Sequence, residues 1–172
     1  LDGSMIDLTP ERSMQVQNDL GADIIMAFDD CPPAQQQTEH QRAFKASQQS
    51  PATSSPTPTP ESEVAYAERV RIANERTLRW LDRCVKAHDR RDEQSLFGIV
   101  QGGVDLDQRD YCAGHVTQHD LPGYAIGGVA VGEPPNVIAD VTRHTAALLP
   151  EDRPRYLMGV GYERDIVAAV RA

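Results

Sequence analysis

From Leu96 to Met158 the chain runs Leu96-Phe97-Gly98-Ile99-Val100, a helix-like segment from about Asp107 to His119, Gly123-Tyr124-Ala125-Ile126, a second helix-like segment from Asn136 to Leu149, and Arg155-Tyr156-Leu157-Met158. Short unbroken apolar runs, each leading into a helix, are the pattern of parallel strands covered on both faces. Upstream, Ala22-Asp23-Ile24-Ile25-Met26-Ala27-Phe28 repeats it. The helix before that run opens at Thr9-Pro10-Glu11, a capping residue, a proline suited to the first helical position and an early acid, and should end near Leu20-Gly21. A last helix is expected from Glu163 onward, and Met5-Ile6-Asp7-Leu8 is expected to supply an earlier strand, so that about five βα units are counted. No hairpin signal such as Asn-Gly joins one strand to the next, which argues against an antiparallel sheet. A doubly wound sheet and a (β/α)8 barrel remain. A whole barrel takes about 250 residues, whereas this chain starts at a strand-like segment and stops inside a helix. Residues 1–172 therefore read as α/β, the central and later βα units of a partial (β/α)8 TIM-type barrel.

Composition bounds the rest. With 172 residues, 40% hydrophobic, and 17 basic against 26 acidic side chains, the chain suits one domain with a sizeable core. No apolar run approaches the roughly 20 residues of a membrane-spanning helix, and no secretory leader pattern is visible, so a cytoplasmic protein without a membrane partner is expected. Cys31, Cys84 and Cys112 are odd in number and widely spaced, which fits free or buried thiols better than a disulfide framework or a local zinc knuckle. The net charge of −9 conceals a sorting: residues 1–30 carry seven acids and one base, residues 69–91 eight bases and three acids. A phosphate-bearing partner is thus compatible with the acidic total.

One stretch departs from the alternation. Residues 47–60 hold eleven Ser, Thr or Pro out of fourteen, too polar to bury a core, and roughly 34–62 reads as a disordered Pro/Ser/Thr-rich surface insertion. A long helix follows from Glu63 to about His88. Its 100° turn per residue gathers Val70, Ala73, Thr77, Trp80, Leu81, Cys84 and His88 on one face, and Arg69, Arg76, Arg79, Arg83, Lys86 and Arg90 on the other. The basic stripe is expected to be a solvated outer face, with His88 packed rather than ligating.

The residues with chemical character fall after the strands, where parallel α/β folds place their active sites. They are Asp29-Asp30-Cys31, Gln101-Gly102-Gly103, Gly127-Gly128-Val129-Ala130-Val131-Gly132-Glu133 and Gly159-Val160-Gly161. A carboxylate accepts paired N–H bonds, a glutamine amide can donate to a carbonyl, and glycine lets a main-chain N–H approach a flat ligand. Guanine presents the complement, adjacent N–H donors beside a carbonyl oxygen. Methionine suits the face of a stacked ring.

These same segments, Met26 to Cys31, Leu96 to Gly103, Gly123 to Glu133 and Arg155 to Gly161, resemble the tRNA-guanine transglycosylases, also called queuine tRNA-ribosyltransferases. The resemblance runs from Leu8-Thr9-Pro10-Glu11-Arg12-Ser13 onward, apart from the insertion. It implies a modified (β/α)8 barrel that exchanges guanine at the tRNA wobble position for queuine or a pre-queuosine base, by double displacement at ribose C1′. It further implies that Asp29 binds the base edge, Gln101 holds the base by its amide, the Gly128 N–H reaches the carbonyl oxygen and Met158 covers one ring face. Cys31, Val129, Ala130 and Val131 would line the pocket, Glu133 would support recognition of the incoming amine, and Gly159, Val160, Gly161, Tyr162, Glu163, Arg164 and Asp165 would form the loop that touches RNA.

The family's nucleophilic aspartate would lie beyond Ala172 and its general acid/base before Leu1, so no catalytic residue is expected within the chain, and the isolated segment is expected to be inactive. Zinc is implied for the full-length enzyme, and none is expected to be bound here. Partners implied are tRNA with a wobble guanine, the incoming base, and a second subunit in a homodimer or a heterodimer with a non-catalytic partner. Trp80-Leu81-Asp82-Arg83-Cys84, Ile99-Val100-Gln101-Gly102-Gly103 and Gly159-Val160-Gly161-Tyr162 resemble the eukaryotic catalytic subunit more than bacterial forms, which points to queuine, whereas Val131 stands where that subunit usually has glycine, which favours the smaller base. Two other readings stay open: a non-catalytic partner subunit of the same enzyme, and a (β/α)8 enzyme that cradles a phosphorylated metabolite on Gly127-Gly128 and Gly159-Val160-Gly161.

Overall fold

The computed structural model describes Met5, residues 7–34 and residues 60–172. Helix α1 (Pro10–Leu20) opens where Thr9 Oγ1 accepts the Arg12 N–H at 3.2 Å and closes where the Gly21 N–H donates to the Gln17 and Asn18 carbonyls. Strand β1 (Ile24–Met26) follows, then α2 (Pro60–Ala87), β2 (Ser95–Val100), α3 (Leu106–Val116) with a 3-10 turn at Thr117–His119, β3 (Gly123–Ile126), α4 (Pro135–Ala147), β4 (Arg155–Leu157) and α5 (Glu163–Val170). Helix α3 starts from the Asp105 side chain, which accepts the Gln108 N–H at 3.1 Å.

The four strands are all parallel and lie in chain order, β1-β2-β3-β4. Ile24 sits opposite Ser95, Phe97 opposite Gly123 and Tyr124 opposite Arg155. A doubly wound sheet would reverse strand order at a switch point; this sheet steps in one direction, as the staves of a barrel do. The fold is an arc of a (β/α)8 barrel. Its core joins Leu81 and Cys84 of α2, Leu96 and Val100 of β2, Cys112, Ala113 and Val116 of α3, Tyr124 and Ile126 of β3 and Val141 of α4. Each fully buried aliphatic among them contributes about 1.5–3 kcal/mol. His88 is buried at the end of the α2 face, as its spacing indicates.

Two sequence expectations change. Met5, Asp7 and Leu8 form no strand, and Met5 is 97% exposed; Ile6 lies outside the described residues. On the outer edge of β1 the Gln17 side-chain amide donates to the Met26 carbonyl at 3.0 Å and accepts the Met26 N–H at 2.9 Å. Four strands, not five, are therefore present among the described residues. Most of the expected 34–62 insertion lies outside the described residues, but at its edges Ala34 is buried and Pro60 to Ser62 already belong to α2. The basic stripe faces solvent as expected, with Arg79, Arg83 and Lys86 exposed, and within it Arg69 and Arg76 also grip Asp30 and Arg83 pairs with Glu11.

Candidate base-binding site

Asp29, Gln101 and Gly128 arrive from three successive strands at one point beyond the sheet's C-terminal edge. The loop after β1 is fixed first. Phe28 stacks on Trp80 with ring centroids 4.8 Å apart, and its N–H donates to Cys84 Sγ at 3.3 Å. The Asp30 N–H donates to Thr77 Oγ1 at 3.0 Å, while the Asp30 carboxylate receives two bonds from Arg69 (2.6 and 3.1 Å) and one from Arg76 (2.5 Å). The two neighbouring acids thus have separate roles: Asp30 ties its loop to α2, and Asp29 is left to face the site.

Gln101 is 1% exposed, with its Nε2 donating to Asp29 Oδ2 at 2.6 Å and its own N–H donating to Cys112 Sγ at 3.2 Å. Gln101 Oε1 is buried without a hydrogen-bond partner. A buried acceptor of this kind is one that a donor-bearing ligand can satisfy. Gly128 packs flat against that amide at φ +62°, so that a Cβ there would collide with Gln101 Oε1 and also hold a left-handed backbone. A Cβ added to Gly127 would meet Gln101 Nε2 at 2.8 Å and Met158 Sδ at 3.5 Å, which places the Met158 thioether against the same pocket.

The electrostatics follow from burial. Desolvation raises the Asp29 carboxyl above its ordinary range, with a smaller push from the Asp30 charge, and outweighs the opposing bond from Gln101. Cys31, exposed at the mouth, is likewise raised, by burial of its thiol and then by the Asp29 charge, against hydrogen bonding from the Gly128 main chain and the Gln101 side chain. The same interactions bring Cys31 to the pocket that holds Asp29, Gln101 and Gly128.

The remaining expected residues spread outward. Val129 is buried, Ala130 is half-buried at φ +62°, and the Val131 N–H donates to Glu133 Oε2 at 2.9 Å. Glu133 therefore braces its own loop in this state. Gly159, Val160, Gly161, Tyr162, Arg164 and Asp165 line a small cleft of about 200 Å³ together with Ala130 and Glu133. Arg164 lies over the Tyr162 ring and donates to Asp165 at 3.2 Å, and Glu163 is exposed beside it at the start of α5.

Sequence reasoning missed one residue, Arg109. It lies fully buried in α3 and holds carbonyls from two loops and the end of β2: Gly103 O at 2.9 Å, Gly127 O at 2.9 Å, Gly128 O at 3.1 Å and Val100 O at 3.4 Å. Its spacing was a usable signal, since positions 109, 112, 113 and 116 share one helix face and the other three are apolar.

Among the described residues no group of three or more His, Cys, Asp or Glu side chains could hold a metal ion. The thiols of Cys84 and Cys112 are occupied as acceptors of main-chain N–H groups, so these residues do not fit the zinc site that the resemblance implies. No described helix is long and apolar enough to cross a membrane.

The sequence profile of the queuine tRNA-ribosyltransferase family matches residues 1–55 and 52–172. The queuine tRNA-ribosyltransferase of Nostoc sp. is 51% identical over 169 residues, which cover 98% of this chain and 37% of the relative. That of Thermus thermophilus is 48% identical over 170 residues (99% and 36%), and that of Staphylococcus epidermidis 44% identical over 160 residues (93% and 35%). The chain thus spans little more than a third of the length of these curated relatives.

Proposed function

Because this chain belongs to the queuine tRNA-ribosyltransferase family, we propose that it forms the base-binding part of an enzyme that exchanges guanine at the tRNA wobble position for queuine or a pre-queuosine base. The observation that carries the reading is the 2.6 Å bond from buried Gln101 to half-buried Asp29, with Gln101 Oε1 unpartnered beside Gly128. Guanine complements each group. Its N1–H and N2–H2 donors suit the Asp29 carboxylate and the free Gln101 oxygen, its carbonyl suits the Gly128 N–H, and Met158 flanks the ring plane.

In this reading the chain binds and orients the purine, and carboxylates elsewhere in the full-length protein act on ribose C1′. One displaces guanine to give a covalent enzyme–RNA intermediate and the incoming base then displaces the carboxylate, so configuration is retained. The half-buried Val131 beside the pocket favours the smaller pre-queuosine base over queuine. Arg164, 70% exposed at the start of α5, is the phosphate partner on the RNA side. The reading includes a second subunit, zinc bound elsewhere in the full-length enzyme and a cytoplasmic location. A phosphorylated metabolite suits the site less well, because the Asp29 carboxylate at its floor repels a phosphate.

Calorimetric titration of guanine into the full-length protein tests this. Binding that weakens at least about tenfold in Asp29→Asn, the loss expected when a charged acceptor becomes partly a donor, supports the reading. Equal affinity in the two proteins refutes it.

A further inference from the structure

Arg109 has no carboxylate partner among the described residues, although a buried guanidinium is costly unless its donors are met. Burial lowers its pKa to about 10, which leaves it charged at neutral pH. What meets it is a ring of main-chain carbonyls from the end of β2 and the two loops that carry Gln101 and Gly128. The bond from Nη2 to the Gly127 carbonyl has a direct consequence. In a trans peptide the C=O and N–H point in opposite directions, so the unit that offers Gly127 O to Arg109 sends the Gly128 N–H the other way, toward the Cys31 thiol.

We infer that Arg109 is a positioning residue that acts through the Gly127–Gly128 peptide, orienting and polarising the Gly128 N–H as the donor for a purine's exocyclic oxygen. A cation bonded to one end of a peptide strengthens the donor at its other end. The inference rests on the base-exchange reading and gives that reading an electrostatic element. When the bond between ribose C1′ and the purine nitrogen breaks, its electron pair passes to the ring and spreads onto the exocyclic oxygen until a proton is taken up. A donor already aimed there stabilises that charge without reorganising. Arg109 touches neither base nor ribose.

The test compares guanine with 6-thioguanine, which keeps the N1–H and N2–H2 donors and replaces the oxygen by a poorer acceptor. Dissociation constants for both are measured with full-length wild-type protein, Arg109→Lys and Arg109→Gln. The wild type should prefer guanine by about tenfold, Arg109→Lys should show an intermediate preference and Arg109→Gln one within about twofold, since the charge-assisted bond is weakened and then lost. Parallel weakening of both bases, with the preference retained, would show that Arg109 only holds the loops and would overturn the inference. Where Arg109→Gln does not fold, Arg109→Lys gives the same ratio, and a guanine complex of the wild type gives a direct check: a Gly128 nitrogen more than about 3.5 Å from the exocyclic oxygen is no hydrogen bond and overturns it. Wild-type protein that binds neither base removes the base-exchange reading itself, whereas wild-type discrimination that survives in the variants removes only the role of Arg109.

Discussion

Cys112 Sγ accepts the main-chain N–H of Gln101 at 3.2 Å, so a buried thiol on α3 fixes the residue that carries the site's amide. Cys84 on α2 does the same for Phe28, one residue before Asp29. Burial pushes the Cys112 thiol up to about 11, which keeps it protonated and unreactive at neutral pH. Both cysteines serve as compact apolar side chains that can still accept a bond.

Cys112→Val keeps much of the volume but leaves a buried N–H unpaired. It should cost about 1–3 kcal/mol of stability, and it should weaken guanine binding because Gln101 is no longer anchored. Cys112→Ser retains an acceptor and should lose less on both counts. Denaturant melts and base titrations of the two variants check the difference.

Asp29 links base binding to pH. Its carboxyl is raised above the ordinary range, chiefly by desolvation, and only the ionised form can accept two purine donors. Guanine affinity should therefore fall on acidification at a pH above that of an ordinary aspartate. Stability moves the other way. A group whose folded pKa exceeds its unfolded one favours the fold fully below the unfolded pKa, and that contribution is lost as pH rises through the folded value. Asp29→Asn should thus melt above the parent at neutral pH, with the difference closing in acid. Paired melting and binding curves between about pH 4 and pH 7 read both effects.

Gly128→Ala should affect the site before it affects the fold. The new methyl collides with Gln101 Oε1 and holds a left-handed conformation that costs about 1–2 kcal/mol. Guanine affinity should drop by at least about tenfold, while the far-ultraviolet circular dichroism of the folded protein stays unchanged. Unaltered affinity would remove Gly128 from the pocket.

The strands and the ligand-facing residues were legible because both depend on local signals. Ile24 to Met26, Ser95 to Val100 and Gly123 to Ile126 are short apolar runs, and Asp29, Gln101 and Gly128 fall in the loops after them, where parallel strands place their sites. What escaped were relationships set by distant residues. Arg109 lies in the polar run Leu106-Asp107-Gln108-Arg109-Asp110 and reads as surface, yet carbonyls six to nineteen residues away make its burial affordable. Asp30 reads as a second candidate for the site, but Arg69 and Arg76, 39 and 46 residues on, occupy its carboxylate. Met5 to Leu8 suits a strand by composition, but Met5, Asp7 and Leu8 form none, and it is the Gln17 side chain that pairs with Met26 on the outer edge of β1.

In the proposed complex a purine lies edge-on to Asp29 and Gln101 with one face against Met158. A structure of the full-length protein with guanine bound measures this directly. The base's N–H edge should lie within about 3.2 Å of the Asp29 carboxylate, its exocyclic oxygen on the Gly128 N–H, and the Met158 thioether over its ring. Guanine bound elsewhere, or seated here with its N–H edge turned away from Asp29, would contradict it.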